Sequence, residues 1–187
     1  FFINLSKKGG IDEKSIYPFD GYNLNDIIDA AGNSLKMMTL APELDKSDVL
    51  IKLLQQNNII PSLGHTEADY NTTIKCFEYG LNHVTHLCNA MNSIKHREPG
   101  PIPAIVNNGN ITCQIISDGH HINKGMIKFL YNILGIKNII LITDGIQAMG
   151  LPDGKYVYNG REYHSNEGAA KYNDGTLIGS SFPLIKI

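Results

Sequence analysis

Residues 111–145, "ITCQIISDGHHINKGMIKFLYNILGIKNIILITDG", decide how the chain folds. The stretch opens on an apolar, β-branched run (111–117) and turns polar at Asp118, His120 and His121. It then takes up helical spacing over 123–135, with Asn123 placed to cap the start and Gly135 to end it. A second apolar run (138–143) follows and stops at Asp144. Strand, helix and strand in this order make a βαβ unit, whose two strands lie parallel and whose crossover is right-handed. Working back toward the N-terminus, "LKMMTLA" (35–41), "NIIPSLG" (58–64) and "NHVTHL" (82–87) repeat the beat. Helical spacing over 47–57 opens on Ser47 and Asp48 as a cap, and that over 67–80 closes on Gly80. "PGPIPAIVNNG" (99–109) reads as a shorter helix broken by its prolines. The strand runs are continuous rather than alternating, as strands covered on both faces are.

The residues just after each run carry the functional argument. They are Pro42 and Glu43, His65, Asp118 with His120 and His121, and Asp144, with His86 near the end of the third run. Functional side chains of parallel α/β folds gather at the carboxyl ends of the strands. A doubly wound sheet would concentrate them at one switch point beside a glycine-rich phosphate loop, but the chain has no GxGxxG and no GxxxxGK[ST]. Contributions from every successive strand fit a barrel, in which all strand ends face one mouth. The expected fold is therefore α/β, an incomplete (β/α)8 TIM barrel, with roughly three of the eight strands outside this sequence. Residues 150–181 are rich in Gly, Asn, Asp and Tyr and carry DG and NG turn signals. They read as a β-hairpin excursion at about 150–176, a lid or flap on the same domain.

Bulk properties narrow the function. The 187 residues are 42% hydrophobic, enough for one core. Sixteen basic and eighteen acidic residues give a net charge of -2 without a basic stripe, so neither nucleic acid nor a membrane is an expected partner. Cys76, Cys88 and Cys113 form no CxxC pair, which argues against a disulfide framework and a thiolate zinc site and points to a reducing cytoplasm. The start, "FFINLSKKGG", lacks both an initiator Met and the order of a signal peptide, and the end, "SSFPLIKI", falls inside an apolar segment. A fragment of a longer chain is the expectation.

Taken alone, His65 reads more readily as a hydrogen-bonded turn histidine than as a ligand. His86 lies inside an apolar strand, and a buried imidazole needs a partner for each nitrogen. The two are 21 positions apart on adjacent strands and converge at the same mouth, which raises a divalent metal site. Asp144 ends a strongly apolar strand, where an ionised carboxylate is costly unless it is paired, metal-bound or used as a base. "DG" is also a turn signal, but beside the histidines Asp144 completes a group able to activate a metal-bound water. Arg97 is either a solvated loop charge or a fork for phosphate. Asn89 and Ala90 follow His86 closely enough to face its pocket, and the consecutive His120 and His121 diverge, so at most one of them faces the mouth. "HTE" (65–67) lacks the Pro-Cys-x-x-Cys partner of zinc nucleobase deaminases, and neither HExxH nor GxSxG occurs.

Seven strings now stand in order: "TLAPE" (39–43), "GHT" (64–66), "THLCNAM" (85–91), "REPG" (97–100), "SDGHH" (117–121), "TDG" (143–145) and "GTLIGSS" (175–181). In order and spacing the chain resembles the N-acetylglucosamine-6-phosphate deacetylases of the amidohydrolase superfamily. The resemblance implies strands four to eight of a metal-dependent hydrolase barrel, without the flanking β-sandwich domain. It implies His65 and His86 as metal ligands for a divalent ion, zinc or iron, and Asp144 as the catalytic aspartate. It implies Asn89, Ala90, Arg97 and His121 as residues holding the sugar phosphate, with the arginine reaching across from a neighbouring subunit of a homodimer, and Leu177 and Ile178 as packing against the sugar. The implied reaction is hydrolysis of the acetamide of N-acetylglucosamine 6-phosphate to glucosamine 6-phosphate and acetate. Two departures stand out. The family's carboxylate ligand, in a Glu-Gly-Pro string, would precede Phe1. Gly10 and Ile11 stand after "KKG" (7–9), where the family carries a polar residue that polarises the acetyl carbonyl. A cyclic-amide amidohydrolase and a non-catalytic truncated barrel are the alternative readings.

Overall fold

The computed structural model describes residues 2–187, with side chains for all of them except 21–23. Five strands, β1 (Met37–Leu40), β2 (Ile60–Leu63), β3 (His83–Val84), β4 (Thr112–Ile115) and β5 (Ile139–Leu141), form one parallel sheet whose spatial order follows chain order. Each lies within an apolar run. A doubly wound sheet would reverse direction at a switch point; this one never does, so all strand ends advance around one side.

Among the described residues, α1 (Gly21–Ala31) precedes β1, and four helices join the strands: α2 (Ser47–Gln56), α3 (Tyr70–Glu78), α4 (Pro101–Asn108) and α5 (Lys124–Leu134). α1 lies outside the segments that sequence spacing marks as helical, because four Asn and Asp residues dilute the apolar stripe of Leu24, Ile27 and Ile28. α2 begins without a side-chain cap: Lys46 precedes it in a left-handed conformation, and Ser47 Oγ donates to the Pro42 carbonyl instead. α3 starts at Tyr70, three residues later than expected, where the Asp69 carboxylate accepts the Thr72 N–H. Pro101 and Pro103 open α4 rather than break it, since both sit in the first turn, where a missing N–H leaves no bond unmade.

The helices cover one face of the sheet. Leu50, Ile51 and Leu54 of α2, Ile102 and Ile105 of α4 and Leu130 of α5 pack with Leu40, Leu63, Val84 and Ile115 into the main core. The opposite face is polar, contrary to the expectation of strands apolar on both sides. There Thr39 Oγ1 and Ser62 Oγ both bond Thr85 Oγ1, at 2.9 and 2.6 Å, and Gln114 Nε2 donates to His83 Nε2 at 3.1 Å. In β4 the alternation is clean, with Cys113 and Ile115 toward the helices and Thr112 and Gln114 away from them. Ile140 and Leu141 of β5, at the sheet edge, stay half-exposed.

Residues 154–180 form a second, antiparallel sheet of four strands in chain order: β6 (Gly154–Tyr158), β7 (Arg161–Asn166), β8 (Ala169–Tyr172) and β9 (Leu177–Ser180). Asn159 and Gly160, both at positive φ, turn β6 into β7 as a two-residue hairpin requires. Tyr163, Ala170 and Tyr172 pack with Ala148 into a small separate core. β9 fastens this sheet to the end of β5: Ser180 N donates to Asp144 O at 2.9 Å and Ile146 N to Ser180 O at 3.0 Å. Gly179 makes the approach possible, because a Cβ there would lie 2.6 Å from Asp144 O at a φ of +148. Gly179→Ala is expected to cost about 2–4 kcal/mol through backbone strain and overlap, measured as a lower urea midpoint at unchanged m-value.

Candidate active site

The register of β2 and β3 brings the first two side chains together. Leu63 pairs with Val84, so two residues further along each strand stand His65 and His86. Their Nε2 atoms are 3.0 Å apart and the ring planes meet at 69°. Gly64, just before, admits this approach, as a Cβ there would fall 2.9 Å from Thr85 Cβ. The Lys7 carbonyl lies 2.6 Å from His65 Nδ1. A carbonyl only accepts, so the proton sits on Nδ1 and the unprotonated Nε2 accepts from His86 Nε2. His86 is 6% exposed and its Nδ1 has no hydrogen-bond partner. Burial lowers the pKa of His65 to about 4, with His86 nearby adding to the effect, and burial likewise lowers His86 to about 4.

Both imidazoles are thus neutral at pH 7 in the folded chain, whereas unfolded histidines charge near pH 6.5. A depressed folded pKa means that the unfolded state binds more protons between those values. The metal-free chain should keep its full stability above pH 6.5 and lose it as pH falls through about 4, which a series of denaturation midpoints across that window checks.

Asp144 follows β5 and faces the same space. Burial raises its pKa, partly opposed by the nearby His121 and His65. His121 Nε2 lies 3.7 Å from Asp144 Oδ2, and His121 Nδ1 lies 2.7 Å from Asp118 Oδ2. The buried Asp118 carboxylate also accepts the N–H groups of His120 and His121 at 2.9 Å each. Burial pushes the Asp118 pKa up, but the bonds from the His121 and His120 backbones and the His121 ring outweigh it, and the net shift is downward. "SDGHH" is therefore a turn closed on its own aspartate that aims His121 at Asp144. His120 points elsewhere and bonds the Glu167 carbonyl at 2.8 Å, in the turn between β7 and β8.

A cavity of about 540 Å³ is lined by His65, His86, Asn89, Ala90, His121, Asp144, Leu177 and Ile178, eight of the nine residues singled out from sequence. Tyr158 and the segment from Ser6 to Ile11, through Lys7, Gly9 and Gly10, also form part of its wall. Arg97 is the ninth; it is exposed and lines a neighbouring cavity of about 620 Å³ with Asn92 and Lys95. Lys7 borders both spaces. Sequence reasoning did not single out Asp118 as the partner of His121, or the Lys7 carbonyl, a backbone group with no side-chain signature. His65, His86, Ala90 and Asp144 all hold positive φ, as does Cys88.

The pair of histidines fits a divalent cation. Two nitrogens on a tetrahedral ion at 2.0–2.1 Å lie about 3.3 Å apart, close to the observed spacing, and a divalent ion would take the place of the proton that the two Nε2 atoms share. Among the described residues, no third His, Cys, Asp or Glu joins them to make a metal cluster.

Fold and cavity together define a parallel α/β protein with a polar pocket at the carboxyl ends of its strands, built on paired neutral histidines and an aspartate. No protein-family model matches the chain. It is 36% identical over 179 residues to N-acetylglucosamine-6-phosphate deacetylase of Bacillus subtilis, covering 96% of this chain and 45% of the relative. It is 33% identical over 161 residues to N-acetylgalactosamine-6-phosphate deacetylase of Escherichia coli O157:H7, covering 86% and 42%. Among solved structures, an N-acetyl-D-glucosamine-6-phosphate deacetylase variant of Mycobacterium smegmatis in complex with N-acetyl-D-glucosamine-6-phosphate superposes with a TM-score of 0.92 at 29% identity, over 96% of this chain and 48% of that one. The Thermotoga maritima N-acetylglucosamine-6-phosphate deacetylase gives 0.89 at 32% identity, over the same shares. Apart from the N-acetylgalactosamine-6-phosphate enzyme, these relatives, in sequence and in structure, are N-acetylglucosamine-6-phosphate deacetylases. It spans about half the length of those it matches. No helix among the described residues is long and apolar enough to cross a membrane.

Proposed function

We propose that the protein hydrolyses the acetamide of N-acetylglucosamine 6-phosphate to glucosamine 6-phosphate and acetate, in the cytoplasm. The observation that carries this reading is the meeting of His65 and His86 at 3.0 Å on the wall of the cavity that Asp144 also lines. In this reading β1 to β5 are strands four to eight of a (β/α)8 barrel and residues 150–176 a flap beside its mouth. His65 and His86 hold a divalent metal, zinc or iron. When bound, such an ion lowers the pKa of a water and polarises a carbonyl. Asp144, its pKa raised by burial, takes the proton of the attacking water and returns it to the leaving nitrogen. His121, aimed by Asp118, and the Asn89–Ala90 segment hold the sugar phosphate, and Leu177 and Ile178 pack on the ring. Arg97 lies in the adjacent cavity, which suits a grip on a phosphate carried by the other subunit of a homodimer.

Acetate release from N-acetylglucosamine 6-phosphate, with and without a chelator, tests the proposal. The 4-epimer belongs in the assay because one relative is named for it. The expected result is activity lost on chelation and restored by zinc or ferrous iron; release unaffected by chelation, or absent with both sugars, overturns it.

A further inference from the structure

Glu43, just after β1, does not line the cavity, yet it collects donors from two segments that meet at His65. Its Oε1 accepts Asn4 Nδ2 at 2.9 Å and the Glu67 N–H at 2.7 Å, and its Oε2 accepts the Thr66 hydroxyl. Thr66 and Glu67 directly follow His65. Asn4 uses every polar group it has: its N–H donates to the His65 carbonyl at 3.0 Å, its Oδ1 accepts Ser6 N and Ser6 Oγ, and its carbonyl accepts Lys7 N. It thereby caps the single turn Leu5–Lys7, at whose far end the Lys7 carbonyl receives His65 Nδ1–H. The bonds close a ring from Glu43 through Asn4, the turn and the imidazole back to Glu43 through Thr66 and Glu67.

We propose that Glu43 is a positioning residue: through Asn4 and the Leu5–Lys7 turn it holds the Lys7 carbonyl against His65 Nδ1, and so fixes the tautomer whose unprotonated Nε2 binds a divalent cation. The cation half of this statement rests on the reading of His65 given under Proposed function. The positioning half does not. A carboxylate suits the task because its bonds to N–H and O–H groups are charge-assisted and it accepts several at once. Partners that orient a metal-binding histidine change metal affinity by about ten- to a hundredfold when removed, and Glu43 acts through one such partner.

Two readouts on the protein test this, zinc affinity by calorimetry and the ring 15N shifts of His65 in the metal-free state. Glu43→Ala is expected to weaken zinc about tenfold and to turn a single Nδ1–H tautomer into a mixture. Glu43→Gln keeps an acceptor oxygen for Asn4 and Glu67, while the Thr66 hydroxyl turns to accept from the new amide; it should stay within about threefold of the parent and keep the tautomer. Asn4→Ala leaves the Glu43 charge in place but cuts its link to the turn, so it should follow Glu43→Ala. A purely structural role for the charge would not give that result. Should Glu43→Ala fail to fold, Glu43→Asp, whose shorter side chain cannot reach Asn4, Thr66 and Glu67 together, takes its place with the same expected result. Parental zinc affinity and an unchanged His65 tautomer in the alanine variants, or Glu43→Gln as impaired as Glu43→Ala, overturn the proposal. Because the tautomer is read without metal or substrate, loss of the deacetylase reading and loss of this one are told apart.

Discussion

If Asp144 moves the proton in the proposed reaction, Asp144→Asn should cut acetate release from N-acetylglucosamine 6-phosphate by about a hundred- to ten-thousandfold, the range expected when a positioned general acid–base group is lost. The amide matches the carboxylate in shape but cannot take a proton. The backbone at 144 is what fastens β9, through Ser180 N–H to the Asp144 carbonyl, and the substitution leaves that bond alone. The fall should therefore appear in kcat with little change in KM and in melting temperature. The contacts of His121 would change too: its Nε2, 3.7 Å away, loses a carboxylate partner while Asp118 keeps its hold on Nδ1. Activity within about tenfold of the parent would show that another group moves the proton.

The second large effect is expected at His86 and separates function from stability. The ring is buried and its Nδ1 has no partner, and an unsatisfied buried polar group costs about 1–3 kcal/mol. His86→Leu replaces it with an apolar side chain of similar size. Zinc binding and deacetylation should fall by more than the roughly hundredfold that a lost outer-shell partner costs. The metal-free protein should melt no lower than the parent, and stay folded at pH values where His86 would otherwise have to charge. A marked fall in metal-free stability would mean that the imidazole is there for packing and its contact with His65.

The same two histidines show what the sequence could and could not reveal. Their meeting was legible because adjacent parallel strands in register keep a constant offset: Leu63 opposite Val84 places residues 65 and 86 side by side. The strands were legible from β-branched runs, and α5 from Asn123 and Gly135 at its ends. The polar inner face was not. Thr39, Ser62, His83 and Gln114 sit within runs whose average is apolar, and only the cross-strand bonds reveal that they share a side. α1 escaped notice because its asparagines and aspartates hide three apolar positions. The Lys7 carbonyl and the Asn4–Glu43 bond depend on how a one-turn helix lies across the sheet, and no local pattern encodes that. The displacement of Arg97 into a neighbouring space follows from the path of its loop for the same reason.

The left-handed backbone at His65, His86, Ala90 and Asp144 has a further consequence. Non-glycine residues held there cost on the order of 1–3 kcal/mol each and persist only when their surroundings insist. Any screen that rewards heat resistance alone should therefore drift toward glycine at these very codons, and in doing so erase the pocket while improving the protein that carries it.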